Sequence, residues 1–238
     1  NRHLMDFLLQ AIPRMPAGVN LEGRLRDVAD TGLPDGCADV VLCNEALSHM
    51  LDIDAFMEEA RRLLARSGRL VISDSNNAAN PRVRRARVAE WARFERILDG
   101  GGDPGELLLK RRDLIMANLK EVGLERANEL AANTFGLTGP QVLEAARAAL
   151  SQGKMPASRY DGHRCPVDPL SNQCTDRLFS PKALRTQFSA HGMTARVRAH
   201  FATRSPYRAL NGIWGAMSPM TLPFSGAFRV VAERQAQV

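Results

Sequence analysis

The sequence predicts an α/β fold built on a mostly parallel sheet. Two short apolar runs, Asp39–Cys43 (Asp-Val-Val-Leu-Cys) and Arg69–Ser73 (Arg-Leu-Val-Ile-Ser), have the composition of strands buried on both faces. Between them Asp54–Ala65 places Phe56, Ala60, Leu63 and Leu64 on one helical stripe. Strand, helix and strand at these lengths make a βαβ unit, which requires parallel strands joined by a crossover.

Taken in order, Asn1 to Ile12 carries Leu4, Met5, Leu8, Leu9 and Ile12 at helical spacing, and Pro13, Pro16 and Gly18 break the pattern. Asn20–Val28 reads as a strand, followed by a turn over Gly32–Gly36. Asp54 is the expected N-cap of the next helix, and Gly68 is expected to close it in the left-handed conformation. After Ser75 the chain turns helical. Val83, Trp91, Phe94 and Leu98 share a face. Asp99–Gly105 is a flexible joint, and Glu106–Val122, Ala127–Thr134 and Gln141–Leu150 are further helices. Arg159–Thr175 is loop-like. Ser180-Pro181 opens a helix that Gly192 closes. Thr194–Phe201 and Ala227–Glu233 are the last strands, separated by a long connection over Ala202–Gly226.

The chain has 238 residues, 45% hydrophobic and 24% charged, enough for one core or for one domain with a large insertion. No run of about 18 apolar residues suggests a membrane span. The N-terminus has no signal-peptide pattern and does not begin with Met, which implies a processed or shortened chain. Four unevenly spaced cysteines (Cys37, Cys43, Cys165, Cys174) argue against a disulfide scaffold and for a reducing cytoplasm. His163, Cys165 and Cys174 do not form the tight paired spacing zinc prefers, so they are expected to be ordinary loop residues and no metal is assigned. The net charge of +6 rests almost wholly on Arg, with Lys only at 110, 120, 154 and 182. The run Arg82-Val83-Arg84-Arg85-Ala86-Arg87 lacks the interleaved aromatics of a nucleic-acid platform and is expected to be a solvated helix face.

Residues 27–74 carry an ordered set of features. Asp27-Val28-Ala29-Asp30 is followed by Leu33-Pro34, the Asp39-Val40-Val41 strand, and the polar pair Asn44-Glu45 with His49 beyond. An Arg-Leu-Leu helix end, a glycine turn and the Leu70–Ser73 strand complete the set. In this order the segment resembles the middle of class I S-adenosylmethionine-dependent methyltransferases. Residues 180–201 and 227–233 resemble that family's late helix and last two strands, so the likeness covers about half of the chain. It implies a Rossmann-like mostly parallel sheet with a large helical insertion after the fifth strand. The implied division is 1–74 for the later part of the cofactor-binding half, 75–180 for a helical lid, and 181–238 for the helix and strands that complete the sheet.

The resemblance implies S-adenosylmethionine as cofactor. Asp27 would accept from the adenine amino group, and Val28 would offer a backbone N–H. Asn44 and Glu45 would line the methionine side, at strand carboxyl ends where open α/β sheets bind ligands. His49 is the candidate general base, weighed against a packing or capping role. Asp74 and His163 are weaker candidates. The family's glycine-rich first motif does not precede Asp27, and the acidic residue ending its second strand is also missing. The chain is therefore expected to start just after that strand. The implied function is methyl transfer to the oxygen or nitrogen of a small molecule, such as a natural product or sugar-like acceptor. The alternatives are an RNA methyltransferase and a degenerate, non-catalytic scaffold. The expected partner is a small-molecule substrate, without nucleic acid or membrane; the oligomeric state is left open, a homodimer included.

Overall fold

The structure is a computed structural model that describes residues 18, 22–96, 103–201, 206–218 and 220–235. The expected first helix, Asn1–Ile12, and most of the Asp99–Gly105 joint lie outside the described residues.

Four strands form the main sheet: β1 (Ala38–Asn44), β2 (Leu64–Asp74), β5 (Met193–His200) and β6 (Ala227–Arg234), in the order β1-β2-β6-β5. β1 and β2 pair parallel, with Leu42 opposite Val71. β6 runs antiparallel to both neighbours. Three of the four strands therefore point the same way, with β6 reversed between β2 and β5. This is the mostly parallel, Rossmann-like sheet that the sequence implied.

α1 (Ile53–Leu63) crosses from β1 to β2. Its N-cap is Asp52, whose carboxylate accepts from Ala55 N at 2.9 Å. The expected cap, Asp54, sits in the first turn and accepts instead from Gln187 and His191. Gly68 also departs from expectation, because the chain passes from α1 directly into β2 and needs no left-handed turn there. A Cβ on Gly68 would lie 2.7 Å from the Ala38 carbonyl oxygen. The glycine is required by close strand approach, at the point where the β1–β2 register slips.

One sheet face is dry. Leu70, Ile72, Phe228, Val230 and Ala232 pack with Phe56, Met57 and Ala60 of α1 and with Leu184 and Phe188 of α6 (Pro181–Ala190). α6 follows its sequence signals: Ser180 caps it by accepting from Ala183 N, Pro181 opens it, and Gly192 at φ +67° closes it. The opposite face departs from expectation. Val40 is 55% and Leu42 73% exposed, so β1 is not buried on both faces. It is the edge of the described sheet, and no described helix packs on those two side chains. The expected strand over Asn20–Val28 is likewise absent among the described residues 22–28; Asp27 and Asp30 bridge across a tight turn instead.

After β2 come α2 (Pro81–Phe94), α3 (Glu106–Asn118), α4 (Leu124–Ala132) and α5 (Gly139–Gln152). Leu108, Ile115, Leu130, Val142 and Ala146 give this helical segment its own apolar cluster. It holds a buried ion pair, Arg111–Glu95, with both side chains 1% exposed. The segment then forms a small hairpin, β3 (Val167–Asp168) and β4 (Gln173–Cys174), within the stretch expected to be loop. The long connection before β6 contains α7 (Asn211–Ala216).

Candidate functional site

The carboxyl ends of β1 and β2 lie side by side, because a parallel pair delivers both ends to one edge. Asn44 ends β1 exposed, and Glu45 follows at φ +50°. A non-glycine residue there is strained, and such strain concentrates at functional turns. Three hydrogen bonds hold the turn: Glu45 N donates to Ser73 O at 2.8 Å, and the Glu45 carboxylate accepts from Ser75 N at 3.1 Å and Ser75 Oγ at 2.6 Å.

Asp74 is fully buried where β2 ends. Its oxygens accept from Ser48 N (3.1 Å) and Asn76 N (2.9 Å). Burial raises its carboxyl above the usual range, against those two donors. The carboxylate thereby clamps the turn carrying His49 onto the strand end. Asn76 donates through Nδ2 to Asp176 at 3.1 Å, while its Oδ1 is buried without a partner. Asp176 also accepts from Arg87 of α2 at 2.7 Å. The arginine run therefore divides: Arg82, Arg84 and Arg85 are the exposed face that was expected, whereas Arg87 turns inward as an ion-pair partner.

His49 sits at the centre of this edge. Its Nδ1 lies 3.0 Å from the Cys174 carbonyl oxygen. A carbonyl only accepts, so Nδ1 carries the proton and, in the neutral ring, Nε2 is the proton acceptor. Nε2 lies 3.8 Å from Asp176 Oδ1. The ring borders a cavity of about 240 Å3, which Glu90, Lys110, Asp168 and Asp176 also line.

Asn44, Glu45, Asp74 and His49 thus gather at one edge. Asp27 and Val28 stand apart in their exposed turn, which Thr31 ties to Glu59 of α1. The Asp27 carboxylate accepts from Ala29 N at 2.9 Å, within its own turn. His163 lines a second cavity with Cys165, Cys174 and Arg177. Among the described residues, no cluster of His, Cys, Asp and Glu could hold a metal ion, and no helix is long and apolar enough to cross a membrane. Asp176 and Arg177 carried no signal in the sequence, and Arg87 was expected on a solvated face, since they reach this edge only through the hairpin and α2.

Residues 6–72 match the methyltransferase domain family model. A comparison with curated proteins found no match. Among solved structures, the chain is similar to PKMT2 from Rickettsia typhi, with 14% sequence identity and a TM-score of 0.36. That alignment covers 89% of this chain and 38% of PKMT2, so the chain spans well under half of that protein's length.

Proposed function

Since residues 6–72 of this chain match the methyltransferase domain family model, we propose that it transfers the methyl group of S-adenosylmethionine to a small-molecule acceptor. The observation that carries the proposal is the edge at Asn44, Glu45, Asp74 and His49, where a proton-accepting Nε2 faces a small polar cavity. The unpartnered Asn76 Oδ1 and the strained Glu45 turn fit a site built to meet a polar ligand.

The cofactor supplies an electrophilic methyl group on a sulfonium. Asn44 and Glu45 would line its methionine portion, and Asp27 and Val28 its adenine. Asp27 would have to share its carboxylate between Ala29 N and the ligand, which its second oxygen permits. His49 Nε2 would take the proton from the acceptor's hydroxyl or amine. Alignment of acceptor and methyl group supplies most of the rate, because the leaving sulfide departs neutral. Helices α2 to α5 form a lid over the acceptor.

Calorimetric titration of the full-length protein with S-adenosylmethionine tests the proposal. Binding is expected, and Asp27→Ala should weaken it by about 1–3 kcal/mol. An unchanged affinity retires the Asp27 assignment, and no heat with the wild type leaves the scaffold reading. One observation favours RNA as acceptor: Arg69, Arg196, Arg198 and Arg229 line a concavity of about 460 Å3 on the open sheet face. Steeply salt-dependent RNA binding would support that acceptor.

A further inference from the structure

The β3–β4 hairpin brings together two cysteines that the proposed methyl transfer does not use. Val167 pairs with Cys174, and Thr175 N donates to Pro166 O at 3.0 Å, so Cys165 and Cys174 face each other diagonally across the two chains. The Cys165 thiol donates to Pro166 O at 3.4 Å, on the face of the hairpin that also carries Cys174. Arg177 donates to the Cys174 sulfur, its Nη2 lying 3.2 Å from Cys174 Sγ while it also bonds the Leu51 carbonyl. Cys165 Sγ also lies 3.6 Å from Thr175 Oγ1. Both cysteines line a cavity of about 570 Å3 with Arg84, Arg164, Arg177 and His163, so small molecules can reach buried Cys174.

We propose that Cys165 and Cys174 form a reactive dithiol site for hydroperoxides, in which Cys174 attacks and Cys165 resolves. The roles follow from the surroundings. The neighbouring Cys165 thiol and the Arg177 guanidinium, 3.2 Å from its sulfur, hold Cys174 well below the usual thiol range, against the opposing effect of burial. Cys165, beside Cys174 and largely buried, is held above it. In the first step the Cys174 thiolate attacks one peroxide oxygen. The O–O bond breaks, the alcohol or water leaves with a proton, and Cys174 becomes a sulfenic acid. In the second step Cys165 loses its proton and attacks the Cys174 sulfur. The S–O bond breaks, water leaves and a disulfide forms, the two thiols having supplied both electrons that reduce the peroxide.

Order of reactivity is the test. Cys37 is exposed, whereas Cys174 is 3% exposed, so reactivity governed by access alone would begin at Cys37. The full-length protein, treated with substoichiometric hydrogen peroxide and mapped by peptide mass spectrometry, should show a Cys165–Cys174 disulfide before Cys37 is modified. Cys165→Ser should instead leave a sulfenate at Cys174 that dimedone captures. Arg177→Gln should slow oxidation of Cys174 several-fold while circular dichroism reports an unchanged fold. Oxidation that starts at Cys37, or no 165–174 disulfide in the wild-type protein, overturns the proposal. The wild-type mapping needs no variant to fold, and none of these readouts depends on methyl transfer.

Discussion

His49 is one ring with two separable jobs. Through Nδ1 it fastens the hairpin, by way of the Cys174 carbonyl, to the turn after β1. Through Nε2 it offers a proton acceptor beside Asp176. The two jobs predict different outcomes for His49→Ala in a methyl-transfer assay. A general base should cost about 100-fold in kcat with cofactor affinity retained. An unchanged kcat with a lowered Tm would leave only the fastening role. His49 was legible in the sequence because it follows a strand end in an ordered motif. Its partner Asp176 lies more than a hundred residues away and carried no local signal.

The helical segment after β2 is the element least like a standard part of the sheet, and its stability hangs on a polar contact. Arg111 spends its guanidinium on Glu95, through two nitrogens, and on the Ala131 carbonyl, through Nε at 2.9 Å. Both charges are out of water, so removing one strands the other. Glu95→Ala should destabilise the protein by about 3–5 kcal/mol in denaturant titration, whereas Glu95→Leu with Arg111→Met should cost far less. Equal losses in the two variants would show that the pair acts as ordinary packing. The helices themselves were readable from apolar spacing, and α3, α4 and α5 fall within a few residues of their expected spans. The ion pair was not, because Glu95 follows α2 and Arg111 lies in α3.

Across the whole molecule, Glu59 ties the stretch before β1 to α1. Its carboxylate, 7% exposed, accepts from Arg62 and from Thr31 N and Oγ1. The Arg62 guanidinium, joined by Thr31, lowers its pKa from 4.5 to about 2, more than burial raises it. In acid the unfolded chain takes up this proton first. The contribution to stability is therefore complete above the ordinary value and lost as the pH falls through about 2. Glu59→Gln should lower Tm at neutral pH and flatten its fall across that acid window. Parallel Tm curves for variant and wild type would remove Glu59 from the acid response.

The sequence by itself determined the parallel β1–α1–β2 unit, the late helix with its serine cap and glycine stop, the last two strands, and the strand-end position of Asn44 and Glu45. Those features are local: periodicity, caps and turns act over a few residues and can be read in order. Tertiary structure alone decided that Arg87 turns inward, that Cys174 meets Arg177 and shares a cavity with Cys165, and that Val40 and Leu42 lie open on an edge of the described sheet. Each depends on what a second, sequence-distant element covers or brings near. The composition of an apolar strand is the same whether its second face is covered or bare, so only the packed chain shows the difference.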